Sequence, residues 1–261
     1  MKRYISEIKQ YWEYAIYAGK AELKADVAQS HLSWLWWILD PLCFMLVYTF
    51  VAQIVFGRGE KYFSAFIFVG YTSYKLFEGT LKASVRLVAS SKSIVSKVYL
   101  PKHILLLSKM YVKGFEFCIS FMLVFGTMVL YWVPLSWHVF EFIPLVILLF
   151  IMTYALSTFL MHFGVYVEDL ANVIKVLLRL LFYMSGIFYS LPNRISDPLL
   201  LAILAKWNPI AFIIDQMRNV LLYQTGLNWK YYFMWLVVFI VLAACGLHVI
   251  AKNENNYVKS L

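Results

Sequence analysis

Long, nearly charge-free apolar runs are the feature that most constrains this chain. About 18 or more consecutive apolar residues mark a spanning helix, because about 20 residues cover the hydrocarbon core of a bilayer. Six spans are predicted: about Trp34 to Phe56, Phe63 to Leu81, Ile104 to Trp132, Phe142 to Val167, Val173 to Tyr189 and Tyr231 to Ile250. Of the 261 residues, 62% are apolar and 14% charged, against about 45–50% and about 25% in soluble domains. A soluble globular protein is therefore excluded. The expected fold is an all-α polytopic membrane protein with one six-span domain over 34–250, an N-terminal segment 1–33 and a cytoplasmic tail 251–261.

Several chemistries are absent from the sequence. There is no Walker-type glycine loop and no soluble stretch long enough to hold a nucleotide-binding domain, so any energy source lies on another chain. Cys43, Cys118 and Cys245 sit singly in apolar runs, which argues against a disulfide framework or a metal site. His31, His103, His138, His162 and His248 fall on different segments, a poor basis for a membrane-embedded transferase acting on lipid-linked sugars. No removable signal peptide is expected, because Lys2 and Arg3 lead into a mixed segment rather than an apolar core. The net charge of +9 is a topology signal and not a nucleic-acid signal, since no basic cluster stands on a soluble module.

Tyr4/Ile5, Ile8, Tyr11/Trp12 and Ala15/Ile16 recur at helical spacing, with Lys9, Glu13, Lys20 and Lys24 mostly on other faces. This predicts an amphipathic helix lying in the headgroup plane. Counted over alternate loops and the span ends that adjoin them, 16 Lys and Arg fall on one side and six on the other, so both termini are expected in the cytoplasm. The segment Ser190 to Lys230 is half apolar but broken by Pro192, Pro198 and Pro209. It predicts short helices re-entering the outer leaflet, with Asn208 capping a helix begun at Pro209.

Polar residues within the spans mark candidate sites. Asp40, just before the helix-bending Pro41, either faces a polar conduit or sits at headgroup depth. Lys75 and Glu78 are three apart on span two, as an internal ion pair or as part of a polar strip with Tyr71 and Tyr74. Tyr48, Phe182, Tyr183, Phe188 and Tyr189 either anchor the protein at the interface or line a path. Asp215 and Arg218 share a face and either pair with each other or contact a pyrophosphate. The loop carrying Lys92, Lys97, Tyr99, Pro101 and Lys102 is basic, amphipathic and proline-stopped, suited to anionic lipid or to a partner protein.

Four motifs in order span nearly the whole chain. They are the Leu-Trp-Trp-x-x-x-Pro-Leu to Val-Tyr run of Leu35 to Tyr48, the Lys97-Val-Tyr99-Leu-Pro101-Lys102 loop, Glu168-Asp169-Leu170, and Asn208-Pro209-Ile with Ile214-Asp215-Gln-Met-Arg218. On a six-span scaffold of this length they resemble the membrane subunit of ABC-2 exporters, in the branch that exports lipid-linked polysaccharides such as O-antigens, capsules and teichoic acids. The chain departs from that pattern at Glu168, at Ser185-Gly186 and at Tyr74-Lys75.

The resemblance implies a permease and not an enzyme. It implies a homodimer with two copies of a separate nucleotide-binding ATPase, which holds the ATP and Mg. It places the protein in the bacterial plasma membrane, with undecaprenyl-linked polymer as substrate. Lys92, Lys97, Tyr99, Pro101, Lys102, Glu168 and Asp169 would then transmit the ATPase's closure. An exporter of small drugs or peptides on the same scaffold is the alternative.

Overall fold

A computed structural model describes residues 2–28, 33–55, 57, 60–95, 97, 100–191 and 196–259, and they are helical almost throughout. Helix α1 (Lys2–Ala28) precedes α2 (Ser33–Thr49), which runs on into a π-helical turn (Phe50–Val55). Pro41 lies inside α2, where a missing N–H and a ring clash disturb the hydrogen-bond ladder. Next come α3 (Phe63–Val85), the one-turn helices α4 (Leu87–Ser90) and α5 (Lys92–Val95), α6 (Lys102–Leu130), α7 (Phe142–Tyr166) and α8 (Leu170–Met184). After these, α9 (Pro198–Ala205), α10 (Pro209–Arg218) with a π turn (Asn219–Tyr223), and α11 (Trp229–Lys259) close the chain.

Among the described residues, four helical stretches are long and apolar enough to cross a membrane: Trp34–Ile54, Lys102–Leu130, Trp137–Tyr166 and Trp229–Glu254. The pair α9 and α10, with its π turn, passes the same criterion as one unit bent by 88°. These features describe a multi-pass membrane protein. The count of six differs from this at two places. Helix α8 has 15 residues, about 22 Å against a hydrocarbon core of about 30 Å. Helix α3 is long enough but carries Lys75, Glu78 and Lys82 and the polar run Tyr71 to Tyr74.

Burial explains that composition. Helix α3 buries 17 of its 23 residues and packs against α2, α6, α7, α8 and α10. A helix wrapped in protein is not selected for contact with lipid, so it tolerates Ser73, Thr72 and Thr80 in its interior. Ser73 and Thr80 return their hydroxyls to the carbonyls of Val69 and Leu76, each at 2.8 Å, which removes the cost of burying them. Helices α7 and α11 form the most extensive pairing. A Cβ on Gly246 would stand 1.9 Å from Thr158 Oγ1, and one on Gly164 would stand 1.9 Å from the Val85 carbonyl oxygen. Small residues let membrane helices approach closely enough for dispersion to hold them.

The main core runs along the bundle, and a smaller core lies at the end that carries both α1 and the last turns of α11. Helix α1 turns Ala15 and Leu23 into this structure and pairs Glu22 with Lys109 of α6 at 2.6 Å. It leaves Trp12 and Tyr17 exposed. Thus Tyr11 and Trp12, expected on one lipid-facing stripe, part company: Tyr11 packs against the smaller core and Trp12 does not. The tail expected after residue 250 continues α11 as helix to Lys259.

Candidate functional site

The candidate site is a polar strip backed by an aromatic cluster, built from α2, α3, α8 and the loop after α8. Asp40, Phe44 and Tyr48 recur every four residues on α2, which puts them on one face. The Asp40 carboxylate accepts a hydrogen bond from Lys75 Nζ and another, at 3.2 Å, from the Tyr71 hydroxyl. Glu78 is bound one turn on by Lys82, so the expected pairing of Lys75 with Glu78 is replaced by two others. Lys75 reaches α2 because Asp40 offers it an acceptor bridging two helices. The (i, i+4) spacing favours Lys82 for Glu78. Farther along the same side, Lys113 bonds Glu116 at 2.7 Å, and Thr72, Lys75, Lys113, Glu116 and Ser120 line a small cleft between α3 and α6. Thr72 Oγ1 is buried there without a hydrogen-bond partner among the described residues. Asp40 and Lys75 keep 53% and 33% of their side-chain surface exposed, so these charges face outward from the single chain.

Aromatic rings fill the space beside the strip. Phe44 stacks on Tyr71 with centroids 3.7 Å apart, and Tyr48 stacks on Phe188 at 4.1 Å. Phe182 meets Phe188 edge-on at 5.3 Å, and Tyr183 lies 5.4 Å from Phe182. The Tyr189 hydroxyl donates to the Tyr183 carbonyl at 2.9 Å, folding the loop back on α8. Phe44, at the centre, is absent from the sequence-derived set, although its spacing from Asp40 and Tyr48 points to it. Tyr74 departs from that set in the other direction. It is fully buried and donates its hydroxyl to the Leu178 carbonyl, so it belongs to the core and does not line a path in this chain.

The segment expected to contact an ATPase divides in the same way. Lys92 and Lys97 are exposed, as are Glu168 and Asp169 in the turn between α7 and α8. Tyr99 lies outside the described residues. The helix expected up to Pro101 ends at Val95, and Pro101 is the N-cap of α6 rather than a stop. Its fixed φ suits the entry to a helix, and its missing N–H costs nothing there. Lys102 is 2% exposed, with Nζ donating to the Leu100 carbonyl at 3.1 Å. It therefore offers no charge to a partner.

The opposite end of the bundle is organised by Arg218. Nε donates to the Phe66 carbonyl at 3.0 Å, and Nη1 and Nη2 donate to the carbonyls of Gly186 and Ile187, each at 2.8 Å. The guanidinium also lies over the Phe66 ring, 3.4 Å from its centroid. A Cβ on Gly70 would stand 2.5 Å from Nη2, so glycine makes room for the fork. Asp215 is engaged instead by Gln216 Nε2 at 3.3 Å and Asn219 Nδ2 at 3.2 Å. Arg218 and Asp215 thus make no direct ion pair. Asn208 accepts from the Ala211 N–H at 3.4 Å, capping the helix that begins at Pro209.

Over this scaffold the chain aligns with relatives along nearly its whole length. It is 28% identical over 222 residues to the O-antigen export system permease protein RfbA of Myxococcus xanthus, covering 84% of each chain. Two proteins of the same name from Klebsiella pneumoniae are 24% identical over 251 residues and 22% identical over 245, covering 92% of each chain. The chain is thus similar, along most of its length, to O-antigen export permeases. No protein-family model matches it. Among the described residues of this permease, no group of three or more His, Cys, Asp and Glu is placed to hold a metal ion.

Proposed function

We propose that this permease is the membrane subunit of an ATP-driven exporter that carries lipid-linked polysaccharide or teichoic acid, of the undecaprenyl-pyrophosphate type, from the cytoplasmic to the outer side of the bacterial plasma membrane. The observation that carries this reading is the whole-length similarity to three O-antigen export permeases. The site chemistry agrees with it. Aromatic faces stack on sugar rings without fixing one register, and a strip of paired charges offers a polar route that acyl chains cannot.

An outward-facing charged strip at membrane depth requires water or another protein surface against it. A second copy of the chain supplies that surface, so the working unit is a homodimer. Each copy docks one ATPase, which binds ATP and Mg, through Lys92, Lys97, Glu168 and Asp169. Helices α3 and α8 bring the spans to six. Helices α9 and α10 re-enter the outer leaflet and cover the exit. The 16-to-six asymmetry in Lys and Arg puts both termini in the cytoplasm.

Deleting the gene and extracting lipids tests the reading. Finished polymer on its lipid carrier should accumulate on the cytoplasmic side. Unfinished polymer would instead indicate a transferase, and an unchanged lipid profile would indicate export of small drugs or peptides.

A further inference from the structure

Helix α6 begins without a cap of its own, because Pro101 has no side-chain hydrogen-bond acceptor to give. A carboxylate 152 positions further along the chain fills that role: Glu254 Oε1 accepts the Lys102 N–H at 3.2 Å. An acid is favoured there because the first N–H groups of a helix are unpaired and its dipole is positive at that end. One turn beyond Glu254, the fully buried Tyr257 shares a hydrogen bond of 2.7 Å with His162 Nδ1 near the end of α7. Burial holds the Tyr257 phenol above its ordinary pKa, so it remains a neutral hydrogen-bonding group. His103, next along α6, has Nε2 3.7 Å from Glu7 of α1.

These contacts surround the smaller core, where Ala15, Val88, Leu106, Met161, Ile250 and Tyr257 pack together. Helix α11 crosses from its apolar span into this core as one continuous helix, so its end cannot shift without carrying the span with it.

We propose that Glu254 and Tyr257 are positioning residues for transport. The last turns of α11 act as a strut that ties the first turn of α6 to the end of α7. A push delivered through the segment leading into α6 then moves α6, α7 and α11 together. Without the strut, the push is absorbed by α6 alone. The strut rests on the reading of Lys92 and Lys97 as ATPase contacts.

The test uses the permease co-purified with its ATPase and reconstituted with lipid-linked polysaccharide. Glu254→Ala and Tyr257→Phe should assemble and hydrolyse ATP as the wild type does, while polymer moved per ATP falls by about tenfold, a typical coupling between sites. Glu254→Gln, which keeps an acceptor oxygen, should restore the ratio. An unchanged ratio in both variants overturns the strut, and so does a parallel fall in assembly, hydrolysis and export. Hydrogen exchange on the unmutated complex provides a measurement that needs no polymer and no variant. Trapping the ATPase with a non-hydrolysable ATP analogue should change protection at 100–106 and at 254–257 together; a change confined to 100–106 overturns the proposal. A wild-type complex that shows the joint change but moves no polysaccharide counts against the substrate and leaves the strut standing.

Discussion

The two ends of the bundle are held by different chemistry. At the end bearing α9 and α10, one buried guanidinium satisfies three backbone carbonyls from α3 and the loop after α8. At the other end, Glu254 reaches a helix start and Tyr257 meets a histidine, with a small apolar core between them. Backbone carbonyls offer Arg218 no alternative arrangement, and leaving any of them unpaired is costly. The first end gathers three segments on one side chain, and the second holds the contacts on which the proposed strut rests.

The largest effect expected from a single substitution lies at the first end. Arg218→Ala should leave the buried carbonyls of Gly186 and Ile187 without their guanidinium donors, at about 1–3 kcal/mol each, so little well-folded protein should survive size-exclusion chromatography. Arg218→Lys keeps the charge but not the fork and should recover only part of the yield. A stable, assembled Arg218→Ala protein that fails only in export would break the comparison and return Arg218 to the substrate path.

Next in size is Gly164→Ala. The added Cβ would meet the Val85 carbonyl at 1.9 Å, and parting two packed helices should cost about 1–3 kcal/mol, read as a lower melting temperature in detergent. A smaller and more discriminating contrast sets Lys102→Glu against Lys97→Glu. The first places a carboxylate on a buried position beside Glu254 and should lower the melting temperature. The second acts on an exposed residue and should leave stability alone while weakening ATPase co-purification. Equal behaviour of the two would show that burial of Lys102 does not matter. Smallest in stability is Asp40→Asn. An exposed ion pair is worth up to about 1 kcal/mol, so melting should hardly move, whereas polymer export should fall because the strip loses its charge at the point shared by Lys75 and Tyr71.

Much of the fold was legible in the sequence, because the bilayer sets the length of an apolar helix. The spans of α2, α6, α7 and α11 follow from that rule alone. Helix α3 was legible as a long helix even though its polar run hides its role, since a helix sheathed by five others is freed from the lipid's demand for hydrophobicity. The site was legible only in part. Asp40, Tyr71 and Lys75 could be named from their types, but which carboxylate Lys75 meets depends on how closely α2 approaches α3, and no spacing within one helix reports that. Glu254, His162 and Tyr257 left no local signal at all, since each contact joins residues about 95 to 152 positions apart. Arg218 was legible as a residue that matters, and its partners were not, because backbone carbonyls leave no trace in sequence.

In its proposed role this chain is the path by which an ATPase moves lipid-linked polysaccharide across a membrane. Liposomes containing the purified permease and its ATPase, loaded with lipid-linked polymer, offer the direct measurement: binding of a sugar-specific lectin to polymer on the far side of the bilayer. ATP should make the polymer accessible to the lectin over time, and omitting either the permease or the ATPase should abolish this. ATP hydrolysis at the normal rate with no polymer reaching the far side, or polymer crossing equally well without the permease, would contradict the claim.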